Sequence, residues 1–504
     1  MKKTTSLLLS LALLAGAGVS TRAAEYSSDP AKSNLRKNIV TSDIQPESDS
    51  GWKFGDPITA ADGKVIFDVQ ERLRFEWRDN NFDFNGGVES NTDDAYVLQR
   101  VKIGMRIKPD DWWNIYTQAQ DSREINSQRP DDPGFFGAEG DSAIGLKQAN
   151  VTFANYKELP FGITVGRQEL SYGDERLIGA FDWNNIGRVF DGVKMRFQQL
   201  NWNVEGFAVM PVNMRVSHFN DTDYKDRFFG VYYTMNYIPK QTTDFYVFFR
   251  NKTNVDSGFP TGGSVFETDR PFNSVAGTQK GDYVTLGTRM KSVPGQLGPW
   301  DYALEANGQV GSINANAADT SINNATSRRR DLLAFAGFVQ GGYTFEGPMR
   351  PRFGVGYDYA TGDGNPNDGT NTSFQNLFPT NHKFYGFMDF FAWRNIHNPR
   401  AGFSITPVGK LNLSLDYHAF FLDTTGDSWF RANASTPVRA VSGRANVSNF
   451  VGQEIDLVAR YPLFKWMRLE AGYSHFFTGD YLRTSGSVGS SDADFAYVQT
   501  IIQF

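Results

Sequence analysis

Apolar and polar residues alternate with a period of two along much of this chain. From Val65 to Arg78, one parity holds Val65, Phe67, Val69, Leu73, Phe75 and Trp77, and the other holds Asp68, Gln70, Arg72, Arg74, Glu76 and Arg78. Val97 to Lys108 repeats this, with Val101, Ile103, Met105 and Ile107 opposed to Arg100, Lys102, Arg106 and Lys108. Later, Leu411, Leu413, Leu415 and Tyr417 oppose Asn412, Ser414, Asp416 and His418, and Ile455, Leu457, Ala459 and Tyr461 oppose Glu454, Asp456 and Arg460. Successive side chains of a strand point to opposite faces, so each run predicts a β-strand with one apolar and one charged face. Sandwich strands also alternate; here the length of the runs and the charge on their polar face favour a different architecture.

Two kinds of break separate the runs. Eight are short: 109–111, 158–160, 199–201, 239–240, 294–299, 347–351, 407–410 and 461–464. Several carry Trp at an edge (Trp112, Trp113, Trp202, Trp300, Trp466), where a membrane–water interface selects aromatic rings. Nine are long and rich in Gly, Asn, Asp and Ser: 79–94, 122–142, 171–190, 211–227, 251–281, 312–330, 361–399, 422–449 and 478–493. A barrel of n strands with both ends on the periplasmic side has n/2 loops and n/2 minus one turns, so nine and eight both give 18 strands, in a range of roughly 16 to 20. The expected fold is all-β: a transmembrane antiparallel β-barrel with short periplasmic turns and long extracellular loops. Ala496, Val498, Thr500 and Ile502 share the parity of the terminal Phe504, as in a last amphipathic strand that closes a barrel.

Composition agrees with this pattern. Among 504 residues are 42 Phe, 21 Tyr and 10 Trp, yet the chain is hydrophilic on average, as when lipid-facing apolar residues and lumen-facing charges cancel. Past the first twenty positions no apolar run is long enough for a membrane helix, and the aromatic content argues against disorder. Met1-Lys2-Lys3, the apolar stretch Leu7 to Val19 and Thr21-Arg22-Ala23 read as a secretory signal peptide over 1–23. A periplasmic segment over 24–62 would follow, then a single barrel over 63–504 in a Gram-negative outer membrane. The chain has no Cys, which excludes disulfides and thiolate metal sites.

If the apolar parity faces lipid, the first two strands place Arg72, Arg74, Arg78, Arg100, Lys102, Arg106 and Lys108 in the lumen, offset by Asp68 and Glu76. Later strands add Glu454, Asp456 and Arg460. The net charge of −6 therefore resides in the loops, as at Asp93-Asp94, Asp131-Asp132, Asp221, Asp223 and Asp226. A basic constriction in a low-dielectric wall favours anions, although Arg and Asp ladders also brace a barrel. Arg167 shares a parity with Ile163 and Val165, so periodicity leaves its direction open.

Three ordered blocks carry a family resemblance. The first runs from Gly166-Arg167-Gln168-Glu169 through Tyr172-Gly173-Asp174-Glu175-Arg176-Leu177-Ile178-Gly179 and Asp182-Trp183-Asn184-Asn185 to Gly187-Arg188-Val189-Phe190-Asp191-Gly192. The second is Gly362-Asp363, Asn365-Pro366, Phe374, Leu377-Phe378-Pro379-Thr380, His382 and Phe384-Tyr385-Gly386; the third is Gly452-Gln453-Glu454-Ile455-Asp456 with Gly472-Tyr473-Ser474-His475-Phe476-Phe477. Together they resemble the alginate-export family of outer-membrane porins. The resemblance implies a monomeric barrel that passes an acidic polyuronate through an Arg-lined constriction gated by a periplasmic and an extracellular loop, with Arg167, Arg176, Arg188 and Asp191 at or near it. The Tyr172 to Gly179 form belongs to the broad family rather than to the pseudomonad secretor, so fold carries over better than substrate.

The expected pore-lining set is thus Arg72, Arg74, Arg100, Arg106, Arg167, Arg176, Arg188, Asp191, Glu454, Asp456 and Arg460, with no catalytic, cofactor or metal site. The five histidines (His218, His382, His397, His418, His475) lack zinc-enzyme spacing. Asp363, Asn365 and Asn367 mimic the start of a calcium loop, but Asp368 and Phe374 stand where Gly and Glu are needed. Arg328-Arg329-Arg330 reads equally as a lipopolysaccharide contact or a solvated charge run. Expected partners are an acidic polysaccharide or small anions, outer-membrane lipid and lipopolysaccharide, and periplasmic export machinery, with no nucleic acid. The alternatives are a general or small-anion porin and a barrel-embedded hydrolase using His418 or His475 with a nearby Ser.

Overall fold

An open sheet in lipid would leave a row of backbone groups without partners, so alternating strands that cross a membrane must close. The computed structural model describes residues 54–87, 93–128, 140, 144–213, 219–253, 280–293, 295–314, 329–365, 368–432, 437–439, 445–486 and 489–504. The signal-peptide and most of the 24–62 expectations, Asp131-Asp132, His218, Arg328, and the Pro366-Asn367 step of the calcium-like run lie outside the described residues.

The strands are β1 (Val65–Asp79), β2 (Asp94–Ile107), β3 (Trp113–Ile125), β4 (Gly145–Ala154), β5 (Phe161–Gln168), β6 (Phe190–Gln198), β7 (Trp202–Asn213), β8 (Asp226–Met235), β9 (Gln241–Lys252), β10 (Gly281–Ser292), β11 (Trp300–Asn314), β12 (Arg329–Thr344), β13 (Arg352–Ala360), β14 (Ile396–Ile405), β15 (Asn412–Phe421), β16 (Phe450–Phe464), β17 (Met467–Thr478) and β18 (Ala493–Gln503). They form the expected closed 18-strand antiparallel barrel, each strand hydrogen-bonded to the next. The ring closes where β18 pairs with β1, from Gln70↔Gln503 to Asp79↔Asp494. Val69 and Phe504 complete that seam with reciprocal backbone bonds of 2.8 and 3.1 Å. The nine long connections and seven of the short turns fall where the breaks in the pattern put them; the eighth turn falls at 465–466, because β16 stays paired through 461–464 with an irregular register at Pro462/Phe464.

Alternation sorts the side chains as expected. Leu73, Phe75, Trp77, Ile103, Val247, Leu286, Val355 and Val498 are exposed on the outward parity, while Arg72, Arg74, Glu76 and Arg100 are buried on the inward one. At the short-turn end the aromatics pair into a girdle: Trp112 stacks on Phe153 at 5.2 Å, Trp300 meets Tyr343 edge-on at 4.7 Å, and Trp466 stacks on Phe464 at 4.8 Å.

The long connections depart from the expectation of polar extracellular loops. The segments 169–189 and 361–395 turn into the lumen and bury Leu170, Leu177, Ile178, Phe374, Leu377, Phe378, Tyr385, Phe390 and Trp393 in one continuous core with inward wall residues such as Phe228, Phe248 and Phe338. The physical reason is size. An 18-strand barrel is too wide for wall side chains to meet across it, so aperiodic apolar residues in the loops find their burial inside. Irregular backbone is tolerated there because it contacts protein rather than lipid.

Candidate pore constriction

The inward parity of β1 to β4 forms a basic wall, and segment 182–186 is moulded onto it. Arg72 Nη1 donates to the Asp182 carbonyl at 2.7 Å, and Nη2 to Asn185 Oδ1 at 3.1 Å. Arg74 Nη1 donates to the Trp183 carbonyl at 2.8 Å, and Arg100 Nη1 to those of Asp182 and Asn184 at 3.0 and 3.2 Å. Lys147 Nζ reaches the Ile186 carbonyl at 2.7 Å. Carboxylates join as well: Glu76 pairs with Arg74 and Arg78, and Asp182 with Arg100 and Lys102. Main-chain carbonyls thus take guanidinium donors that a fully neutralised wall would give to carboxylates. The segment holds its shape because Asn184 Oδ1 accepts the N–H groups of Ile186 and Gly187, and Gly187 adopts φ +71°.

A second set of contacts joins this loop to segment 361–395. Ile178 and Phe378 form a parallel bridge, with Phe378 N donating to the Leu177 carbonyl and Gly179 N to that of Phe378. Arg188 Nη1 donates to the carbonyls of Gly179, Phe378 and Pro379 at 2.9, 2.5 and 3.1 Å. Burial, with Arg250 nearby, pushes the Arg188 guanidinium down to about 9. Trp183 stacks on His382 with ring centres 3.8 Å apart, and the Arg74 guanidinium lies over the Trp183 ring at 3.9 Å. Arg176, fully enclosed, pairs with Asp358 at 2.7 Å and packs over Phe338 and Phe384. Burial would raise the Asp174 carboxyl, but Arg289 and Lys291, at 2.9 and 2.8 Å, hold it well below the usual carboxylate range.

On β16, which β17 and β18 separate from β1, Glu454 and Asp456 anchor the second loop rather than facing open lumen. Glu454 Oε1 accepts Met388 N at 3.0 Å, and Asp456 Oδ1 accepts Phe387 N at 3.4 Å and Ser474 Oγ at 2.5 Å. Toward the short-turn end the inward side chains are freer. Arg106 lies over Tyr116, and Arg460 pairs with Glu470 at 3.0 Å. A recess of about 120 Å³ opens there between β12 and β15, lined by Gln340, Arg352, Arg400 and Asp416 over Gly354, Gly356 and Gly402.

Two expected pore residues are placed elsewhere. Arg167 and Asp191 sit directly opposite one another in the β5–β6 register, on the parity of exposed Val165 and Met195. They form a bidentate pair, both contacts 2.8 Å, at the long-loop end of the outer wall. The Arg167–Asp191 spacing thus marks a rim brace, because strand parity overrides proximity in sequence. Sequence reasoning missed Lys147, beside the bulge at Gln118/Ala119, Arg250 and Asp358, among aromatics that blur the alternation, and Arg289, where Thr288 interrupts the apolar parity. Of the hydrolase candidates, His418 contacts Asn398, stacks on Phe420 and lies 3.9 Å from Asp456, whose Oδ1 accepts Ser474 Oγ, so the serine meets the carboxylate rather than the imidazole; His475 pairs with Asp494 on the outward parity.

The barrel resembles solved outer-membrane proteins. OccAB1 of Acinetobacter baumannii superposes with TM-score 0.54 at 12% identity, covering 87% of this chain and 97% of that one. OpdQ of Pseudomonas aeruginosa gives TM-score 0.53 at 10% identity over 87% and 98%. OccK1 of the same organism gives 0.52 at 10% over 87% and 98%. At such identities the likeness shows the fold. No curated protein matches the chain in sequence. The profile described as "Alginate export" matches residues 64–495, nearly the whole described barrel, and with that match this chain, an outer-membrane channel by fold, belongs to the alginate export family.

Proposed function

We propose that the channel carries anionic solutes, most specifically an acidic polysaccharide such as alginate or its oligomers, through an electropositive constriction built on Arg72, Arg74, Arg100, Arg106, Arg176 and Arg188. One observation carries this reading: the guanidinium donors of the β1–β4 wall are held by the carbonyls of segment 182–186. A carboxylate is a stronger acceptor for guanidinium than a neutral carbonyl, so an acidic chain can exchange with the loop as it withdraws. Glu454, Asp456 and Arg460 then act as anchor and lower lining. The chain reaches the outer membrane after removal of residues 1–23, which N-terminal sequencing of the mature protein tests.

Reversal potentials in planar bilayers test the constriction. Wild-type protein should prefer anions, and replacing Arg72, Arg74 and Arg100 together with Gln should reduce that preference severalfold. Oligomannuronate should block the current, while neutral oligosaccharides of equal length should not. Cation preference that ignores these substitutions would sink the proposal. A second reading, a small-anion diffusion porin, is favoured by the small recess between β12 and β15. Block by monomeric but not oligomeric uronate would select it.

A further inference from the structure

Toward the short turns, the inward face of β12 to β15 lacks side-chain bulk. Gly342, Gly354, Gly356 and Gly402 fall on the inward parity there, through the pairs Asp301↔Gly342, Gly354↔Gly402, Gly356↔Arg400 and Gly402↔Asp416. These glycines are floors for longer neighbours. Arg352 crosses Gly342 to reach Asp301, with contacts of 2.8 and 2.6 Å, and a Cβ added at Gly342 would collide with its Nη2. Arg400 lies across Gly356, its Cζ 3.0 Å from where a Cβ would stand, and Asp416 Oδ1 is 2.6 Å from the same point on Gly402. The recess of about 120 Å³ that results is lined by wall residues alone, with none from either inward segment.

Only some of its polar atoms are engaged. Arg352 uses Nε and Nη2 on Asp301, and Arg400 uses Nε on Asp358 at 2.8 Å and Nη2 on Gln340 Oε1 at 2.5 Å. Arg352 Nη1, Arg400 Nη1, Gln340 Nε2 and both Asp416 oxygens hydrogen-bond to none of the described residues. Elsewhere in the lumen acid and base meet directly, as at Arg176 and Asp358. Here a carboxylate and two guanidiniums share one recess, and Asp416 forms an ion pair with neither.

We propose that this recess is a subsite for one ring of an acidic sugar, with the ring carboxylate on Arg352 and Arg400 and a ring hydroxyl donating to Asp416. The free groups select this class. Asp416 repels a bare inorganic anion, and a neutral sugar leaves both guanidiniums without a charged acceptor. A zwitterion would meet Asp416 with its ammonium, yet the three free nitrogens carry about six N–H donors, and one carboxylate has only about four lone-pair sites. The hydroxyl and ring oxygens of a sugar supply the rest. The subsite rests on the proposed function in taking an acidic saccharide as solute, and it adds a carboxylate that reads hydroxyl groups.

Calorimetric titration of the purified barrel with a mannuronate trimer tests the site, in an Arg72/Arg74/Arg100→Gln background that removes the main donors of the constriction. Arg352→Gln and Asp416→Ala, both at part-exposed positions, should each weaken binding about tenfold, the loss of one charge-assisted hydrogen bond. Asp416→Asn, which keeps one acceptor, should recover part of it, and a mannose trimer should bind about tenfold more weakly than the acid. Heat-modifiable migration on gels confirms that each variant is a folded barrel. Tighter binding in Asp416→Ala would mark a plain anion patch and overturn the proposal. So would phosphate or glycine binding as tightly as the trimer, affinities indifferent to both substitutions, or no trimer binding in that background. Reversal potentials report on the constriction and the titration on the recess, so either proposal fails separately.

Discussion

Asp363 shows how one side chain couples the inward loops to pH. Its backbone N–H donates to Asp427 Oδ2 at 3.1 Å, and its carboxylate lies 3.6 Å from Arg330. Burial, then the Asp427 charge, pushes the Asp363 carboxyl up to about 6 from an ordinary 3.8. A carboxyl raised on folding gives stability that is fully present below about pH 4 and is lost as pH rises through about 6, because the folded state then binds the extra proton. The melting temperature should therefore be higher near pH 4 than near pH 7 in wild-type protein, and Asp363→Asn should flatten that difference. An unchanged slope in the variant would place the pH dependence elsewhere. The carboxyl itself was visible in the Gly362-Asp363 block, but its role was not: the Asp427 partner is 64 residues away in the chain.

Among the elements, the two inward segments act as one latch. Trp183 of segment 169–189 and His382 of segment 361–395 stack at 3.8 Å, and Arg188 spans the same joint through three carbonyls. An aromatic pair is worth roughly 1 kcal/mol beyond its burial, so removing it should shift an open–closed balance without unfolding the barrel. Trp183→Ala is expected to raise the open fraction in single-channel recordings about fivefold, and Arg188→Gln to do the same through the lost carbonyl contacts. Recordings identical to wild type would show that the joint does not gate. At this scale the strands were legible in sequence and the loops were not. Leu411 to Tyr417 alternates because a strand has two faces, whereas Phe387 to Trp393 has no period, since its partners come from loops and walls distant in sequence.

At the scale of the whole molecule, closure is the property on which the rest depends. β18 carries ten paired positions to β1 and ten to β17, so a chain truncated before Ala493 exposes two strand edges in lipid. Such a chain is expected to yield no heat-modifiable band and no conductance, and normal folding after that truncation would contradict the ring. The sequence by itself determined the barrel, its strand number and which parity meets lipid, because period-two alternation and the spacing of turns are local and each strand obeys them independently. Only the tertiary structure decided what fills the lumen. It turned Glu454 and Asp456 into anchors for a loop and sent Arg167 and Asp191 to the outer rim. Those outcomes depend on register and on contacts between residues far apart in the chain, where alternation along a single strand carries no information.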